Sequence, residues 1–260
     1  MRDVLIYPDI SLGIYAKSIL STLHPMNQNK GHLVRIGRNN DGGYIMVNDG
    51  IDNIIAYSCG ISDDTSWDLD MASRGCHIYQ YDHTIDNVAV KNNNFHFFRI
   101  RISGDALNDA TDNASSIADI IRYNGHTENR DMILKMDIEG SEWNALYVTD
   151  SHLLSNFSQI VIEFHWLLRI DNCWRKKIID VLKKINITHQ SVHVHANNFG
   201  AIGLVGGVVL PETLEVTYLR REGNIFSVCT KCFPTALDTP NNELDPDYFL
   251  GPIGLITEYC

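Results

Sequence analysis

Four ionisable side chains stand at the ends of apolar runs in this sequence: Asp82, Asp137, Glu163 and His165. The carboxylate of Asp82 can accept both hydroxyls of a ribose, and the alternative is that it caps the start of a helix. The carboxylate of Asp137 can face the ammonium group of a ligand. Glu163 and His165 are two residues apart, which places them on the same face of a strand. A histidine beside an acid is a candidate general base. The pattern therefore predicts a polar ligand site with acid–base chemistry beside it.

The same residues predict a metal site. Asp137, Glu163 and His165 would end neighbouring strands, where side chains about 4.8 Å apart can converge. Carboxylate oxygens with one imidazole suit a first-row divalent ion, which would lower the proton affinity of a bound oxygen. The alternative is that these groups hydrogen-bond a cofactor and one another.

A second polar cluster follows a later strand, in the segment His193-Val-His195-Ala-Asn-Asn198. His195 is the second candidate base, and the alternative is a polar turn. Gly60 follows another apolar run and would let the backbone approach a ligand closely. The run carries one glycine and lacks the GxGxxG fingerprint of dinucleotide-binding proteins, which disfavours a nicotinamide cofactor.

Strand-like and helix-like segments alternate along the chain, which predicts an α/β fold with a doubly wound, mostly parallel sheet. Two late strands have no helix between them and predict an antiparallel edge strand. In such sheets, ligands bind beyond the carboxyl ends of the strands, near the point where the strand order reverses. The predicted strands span 54–59, 77–81, 95–102, 132–136, 159–164, 188–195 and 213–219, and the last is expected to pair with 225–229.

One domain with two appendages is predicted. Residues 1–50 form a helical and irregular N-terminal cap, 51–232 the core, and 233–260 a proline-containing tail packed on the core. The cap, the tail and the loop 197–211 are expected to shape a substrate pocket.

The composition is that of an ordinary globular enzyme, with 44% hydrophobic and 20% charged residues. The net charge of -11 repels phosphate backbones and anionic membranes, so we expect no nucleic-acid partner and no membrane association. The N-terminal segment does not resemble a signal peptide, which favours a cytoplasmic location with reduced thiols. Cys229 and Cys232 form a lone CxxC pair without a second pair at matching spacing, so incidental thiols are favoured over a metal or redox site.

The segment Leu-Lys-Met-Asp137-Ile-Glu139-Gly140-Ser-Glu142 resembles the K-[IM]-D-[IV]-E-G-x-E signature of the FkbM-like methyltransferases. Without the resemblance, Glu142 is interpreted as an acid at the start of a helix, where the helix dipole favours negative charge. The similarity runs from about residue 33 to about 245. Supporting segments lie at 35–44, 163–165, 195–198 and 237–241.

This resemblance implies a class I, Rossmann-like methyltransferase fold that uses S-adenosylmethionine. It places Gly60, Asp82 and Asp137 at the family's cofactor positions. The glycine loop is reduced to Cys59-Gly60-Ile61-Ser62-Asp63, against the fuller G-x-G of many methyltransferases. Further candidate cofactor-binding residues are Tyr44, His83 and Ser103.

The resemblance favours an O-methyltransferase that acts on a hydroxyl of a small molecule such as a sugar or natural product. His165 is the first choice for the base and His195 the second, while Asp137 faces the cofactor's ammonium group or the reacting centre. Two alternatives stay open: a nicotinamide-dependent oxidoreductase, and a catalytically silent, ligand-binding Rossmann-like domain.

Overall fold

A computed structural model describes residues 4–104 and 113–254. The helices in these residues are α1 (Leu12–Thr22), α2 (Ser66–Ser73), α3 (Ile117–Tyr123), α4 (Glu142–Val148), α5 (Ser151–Leu154) and α6 (Asn172–Thr188). The strands are β1 (Val4–Tyr7), β2 (Met26–Gln28), β3 (Leu33–Ile36), β4 (Tyr44–Val47), β5 (Ile55–Cys59), β6 (His77–Tyr81), β7 (Phe95–Phe98), β8 (Arg101–Ile102), β9 (Ala114–Ser115), β10 (Met132–Met136), β11 (Phe157–Phe164), β12 (His189–Ala196), β13 (Ile202–Val205), β14 (Val208–Pro211), β15 (Leu214–Arg220) and β16 (Phe226–Val228).

A seven-stranded sheet in the order β12-β15-β11-β10-β5-β6-β7 forms the centre of the structure. The strands from β11 to β7 run parallel to one another, so the chain is a mixed α/β protein with a large, mostly parallel sheet. This architecture is compatible with a Rossmann-like fold. The first parallel strand, β5, lies beside the fourth, β10, which is the point where the strand order reverses.

The predicted antiparallel strand exists, but its predicted place at the edge is wrong. β15 runs antiparallel to both of its neighbours and lies between β11 and β12. The outermost strand, β12, therefore has the same direction as β11. The absence of an intervening helix correctly indicated the β12–β15 pairing. It could not indicate that β15 enters the sheet next to β11, because that depends on contacts between strands far apart in sequence.

Both faces of the sheet are covered, which explains why its central strands are continuous apolar runs. Alternate residues of β10 enter different clusters: Leu134 and Met136 join the larger core, and Ile133 joins a smaller core on the other face. Helix α6 covers the larger core with an apolar stripe at helical spacing. Its N-terminus is fixed by Asp171, whose carboxylate accepts a hydrogen bond from the backbone N–H of Trp174 at 3.0 Å.

The N-terminal segment contains more strand than the predicted helical and irregular cap. β3 and β4 pair antiparallel, and β4 packs on the central sheet. Two hydrogen bonds join the buried amide of Gln159 to the backbone of Val47, at 3.0 and 2.8 Å. The suggested pairing of 225–229 with β15 is also wrong, because β16 pairs with β2. The predicted strand 95–102 is divided into β7 and β8.

The tail folds back over the end of the sheet. His193 on β12 contacts Asp238 at 2.8 Å, and the Asn198 side chain donates to the backbone carbonyl of Asn242 at 3.1 Å. The loop 197–211 contains the β13–β14 hairpin, and β13 also pairs with β1. None of the helices in the described residues is long and apolar enough to cross a membrane.

Gly60 provides the first prediction, because the backbone of Asp137, which follows β10, lies close against it. Its φ is +82°, and a Cβ atom there would be 1.6 Å from the carbonyl oxygen of Asp137. Gly60→Ala should lower the free energy of unfolding by more than about 2 kcal/mol, because a left-handed residue alone costs about 1–2 kcal/mol. Gly50→Ala is the control, since Gly50 has a φ of +63° and open space around it. Equal losses for the two variants in urea titrations would contradict the close approach.

Candidate functional site

A cleft of about 470 Å³ opens at the carboxyl ends of β5, β6 and β10, beside the point where the strand order reverses. Parallel strands direct their polar end residues to this edge of the sheet. Four of the predicted cofactor residues line the cleft: Gly60, Asp82, His83 and Asp137. The other two, Tyr44 and Ser103, are buried and do not line it.

Asp82 closes the loop after β5. One of its carboxylate oxygens accepts hydrogen bonds from the backbone N–H groups of Ile61 and Ser62, both at 2.8 Å. The other oxygen accepts from the N–H and the hydroxyl of Thr84, at 2.7 and 2.6 Å. Burial opposes ionisation, but these donors stabilise the anion and lower the pKa of Asp82. The predicted ribose-binding group therefore also fixes the shape of the cleft floor.

Lys135 is a cleft residue that the sequence interpretation did not include. It is 6% exposed, and its ammonium group donates a hydrogen bond to the carbonyl oxygen of Gly60. Its positive charge acts on the buried carboxyl group of Asp68, whose pKa burial raises. A lysine inside an otherwise apolar strand was the available signal, because lysine is almost never fully buried unless it is paired.

Carboxylates surround the imidazole of His165. Its Nδ1 lies 3.1 Å from an oxygen of Glu142. Its Nε2 lies 3.3 Å from Glu139, 3.5 Å from Glu163 and 3.9 Å from Asp137. The predicted convergence of Asp137, Glu163 and His165 is thus found in the structure, with two further carboxylates: Glu139 from the loop after β10 and Glu142 from the start of α4.

Burial and neighbouring charges shift the pKa values of residues in this carboxylate cluster. Burial alone would lower the pKa of His165, but the hydrogen bond to Glu142 and the surrounding negative charges raise it to about 10. Burial and the charge of Asp137 raise the pKa of Glu163 well above its usual range. The imidazole is therefore held as a cation, and this opposes the neutral form that a general base needs.

Glu142 is at the start of a helix, as expected from the sequence, but its surroundings are unusual for an acid at that position. It begins α4, but it is completely buried, and one of its oxygens accepts hydrogen bonds from the backbone N–H of Ile138 and from His165. Its other oxygen, Oε2, is buried without a hydrogen-bond partner. One ligand atom from each of Asp137, Glu142 and His165 lies within 4.8 Å of the others. In the described residues this set, and not the predicted one with Glu163, has the spacing for a metal ion.

Tyr44 connects two of the acids. Its hydroxyl donates to Asp137 at 3.0 Å and lies 3.4 Å from Glu163. Burial and these negative charges raise the pKa of Tyr44, so the phenol stays protonated and acts as a donor. Asn197 also donates to Glu163, at 2.7 Å. Tyr44 therefore helps to hold the carboxyl groups of Asp137 and Glu163 in place.

His195, the second candidate base, lies under the tail and does not line the cleft. Its two ring nitrogens contact Glu215 at 3.2 Å and Asp247 at 3.0 Å. Burial would lower the pKa of His195, but these partners raise it to about 10. A chain of contacts leads from Glu215 through Asn241 to Asp41, which does line the cleft.

The CxxC cysteines differ in their surroundings. Cys229 is buried and Cys232 is exposed, and both are free thiols. They belong to no group of metal-ligating side chains among the residues described.

Comparisons with known proteins give a short match to a methyltransferase-like protein. No family model matches the chain. It is 27% identical over 119 residues to "Probable methyltransferase-like protein 24" of Homo sapiens, a match that covers 42% of this chain and 32% of that protein. The matched part is thus about a third of the length of that curated relative. Among solved structures, "Putative hemolysin from Streptococcus thermophilus" aligns at 10% identity with a TM-score of 0.36, over 70% of this chain and 72% of that one.

The second prediction concerns His195. Its folded pKa of about 10 exceeds the unfolded value of 6.5, so its stabilising effect is complete below about pH 6.5 and is lost as the pH rises toward 10. The charged groups that face it are Glu215, Asp238 and Asp247. Wild type should be more stable than His195→Gln at pH 6, and the difference should shrink steadily up to pH 9.5. Urea titrations at each pH measure this, and a constant difference would argue against the ion pairs.

Proposed function

We propose that this protein is an S-adenosylmethionine-dependent methyltransferase with a class I, Rossmann-like fold. The observation that carries the proposal is the cleft at the strand-order reversal, where Gly60 approaches Asp137 and Asp82 shapes the adjoining loop. The match to a methyltransferase-like protein and the resemblance of the 134–142 segment to the FkbM-like signature support it.

The residues of the cleft suit this cofactor. Asp82 would accept hydrogen bonds from the ribose hydroxyls, with Thr84 giving up one of its bonds to the carboxylate. Asp137 would face the ammonium group, while Gly60 leaves room beside it and His83 lines the same wall. Tyr44 and Ser103 do not line the cleft, and Tyr44 would act through its hydrogen bond to Asp137. When bound, the cofactor supplies an electrophilic methyl group on a sulfonium ion.

We propose that the acceptor atom is a hydroxyl oxygen of a small molecule. Methylation of a hydroxyl requires that its proton be removed, and Asp137 and Glu139 connect the titratable groups of the carboxylate cluster to the cleft. His165 is favoured over His195 for handling this proton, because His165 contacts the cleft residues Asp137 and Glu139, whereas His195 lies under the tail. The net charge of -11 favours a small-molecule partner over nucleic acid, and a cytoplasmic location agrees with the free thiols.

A divalent cation at the carboxylate cluster is the second part of the proposal. Asp137 and His165 would bind it together with Glu142, in place of the Glu163 expected from sequence. The buried, unpartnered Oε2 of Glu142 supports this set, because an unsatisfied buried carboxylate oxygen is costly. A cation would also offset the negative charge of the cluster and lower the proton affinity of an acceptor oxygen.

A nicotinamide-dependent oxidoreductase is the less favoured alternative. The dinucleotide-binding fold continues beyond its fifth strand with another parallel strand, whereas here the antiparallel β15 follows β11. The loop after β5 carries one glycine, Gly60. Calorimetry with S-adenosylhomocysteine and with NAD separates the two functions. If the protein binds S-adenosylhomocysteine but methylates no hydroxyl acceptor, the result would instead support the catalytically silent, ligand-binding domain.

The third prediction tests the cofactor site. Asp82→Ala should weaken S-adenosylhomocysteine binding by roughly 30- to 150-fold, since leaving buried hydrogen-bond donors unpaired costs about 2–3 kcal/mol. Asp86→Ala, which removes a nearby carboxylate that is 89% exposed and does not line the cleft, should change the affinity little. Calorimetry on folded variants gives both values. An unchanged affinity in Asp82→Ala would refute the assignment.

The fourth prediction tests the cation with two isosteric variants. Wild type should bind Mn²⁺, detected by loss of the paramagnetic resonance signal of the free ion. Glu142→Gln should weaken binding by roughly tenfold or more, the scale expected when a group that holds a metal is changed. Glu163→Gln should bind more nearly as wild type does. The reverse order would restore the ligand set expected from sequence, and full activity in chelator with no metal found by elemental analysis would refute the cation site.

A further inference from the structure

We propose that the indole of Trp166 is the platform on which the methyl acceptor lies, and that the acceptor presents an uncharged pyranose ring. This inference rests on the proposed methyltransferase function and names the substrate class for the same site. It is carried by the exposure of Trp166, by its contact with the loop after β10, and by the chemistry of the side chains around it.

Trp166 is the exposed tryptophan of this protein. It is 42% exposed, whereas Trp67, Trp143 and Trp174 are 2%, 0% and 7% exposed. A large aromatic side chain gains free energy when it is buried. Its exposure at the end of β11, directly after His165, therefore marks a surface that a ligand could cover.

The ring lies against the backbone of Gly140. A Cβ atom built on Gly140 would be 2.5 Å from two carbons of the six-membered ring of Trp166. The residues on either side of Gly140, Glu139 and Ser141, line the cleft. The indole is thus at the rim of the cleft, beside both the carboxylate cluster and the proposed cofactor site.

The backbone around this contact is strained. Trp166 has a φ of +62° and Glu139 a φ of +55°. The left-handed region is rare for residues with a Cβ atom and unusual for a bulky one. Such conformations cost of order 1–3 kcal/mol and concentrate at ligand-binding and catalytic sites.

Neighbouring contacts hold the platform in place. The backbone N–H of Arg169 donates to the carbonyl oxygen of Trp166 at 3.0 Å. The ring of Trp174 lies 5.7 Å from that of Trp166, and the Arg169 guanidinium covers Trp174 at 4.2 Å. An aromatic surface that is already ordered loses little conformational entropy when a ligand binds.

The chemistry of the rim selects the acceptor. A pyranose has a face of C–H groups that can cover an indole and an edge of hydroxyl groups that can donate to carboxylates. Glu139, whose side chain is 86% exposed, and Asp137 offer such acceptors next to the ring. The same carboxylates, in a chain of net charge -11, repel phosphorylated and acidic sugars. The rim therefore fits an uncharged sugar ring.

The test measures acceptor binding directly, by saturation-transfer NMR on the full chain with saturating S-adenosylhomocysteine. The probes are methyl pyranosides of several configurations, with a sugar phosphate and 4-methylcatechol as comparators. We expect at least one pyranoside to bind, with saturation strongest on the C–H protons of one ring face. Trp166→Ala should weaken its binding by about tenfold, and Trp166→Phe should retain most of it.

Two further variants make the result specific. Gly140→Ala should weaken pyranoside binding because the added methyl displaces the ring. Tyr147→Ala removes an aromatic side chain that is 46% exposed and does not line the cleft, so it should bind as wild type does. Calorimetry of S-adenosylhomocysteine on the same samples separates the two proposals. If wild type does not bind S-adenosylhomocysteine, the methyltransferase proposal is refuted. If it binds S-adenosylhomocysteine but no pyranoside, or only the sugar phosphate or the catechol, the platform is refuted. The platform is also refuted if Trp166→Ala binds the pyranoside as tightly as wild type does.

Discussion

The packing of several carboxylates around one imidazole is the constraint on which the rest of this site depends. Glu142 and Glu163 are removed from water, and negative charge in such surroundings is tolerated only beside a compensating cation. His165 supplies that charge from between them. The loop after β10 must therefore bring Glu142 under the ring, and it does so through the left-handed residues Glu139 and Gly140.

The parallel sheet brings the charged residues of the site together at one edge, and the close packing there leaves little space between the strand ends. Strand ends meet at one edge, so each strand delivers a polar residue to the same place. Between β5 and β10 the backbones come so close that Gly60 has no room for a side chain. Gly60 lines the cleft, whereas the buried acids Glu142 and Glu163 of the carboxylate cluster do not. Asp137 belongs to both, which couples the ligand site to the carboxylate cluster.

The segments before and after the central strands complete the site. Tyr44 comes from the N-terminal hairpin and donates to Asp137. Asn241 comes from the tail and contacts both Asp41 and Glu215. Buried polar groups of this kind are stable only when nearly all are satisfied. The cap and the tail are thus structural partners of the site, and a change in either can reach the cleft through a short series of hydrogen bonds.

Local pattern was enough to predict the buried strands, the parallel sheet and the meeting of Asp137 with His165, because strand period and strand ends are local properties of the sequence. The place of β15 inside the sheet was not predictable, since it depends on pairing across long separations. Neither was the role of Glu142: the sequence indicated an acid at the start of a helix, and only tertiary packing buried it against the imidazole. The exposure of Trp166 likewise follows from a backbone conformation that its residue type disfavours. The sequence by itself determined which groups gather at one edge of the sheet, and the tertiary structure decided which of them are buried, charged and open to a ligand, because burial and charge depend on neighbours that are distant along the chain.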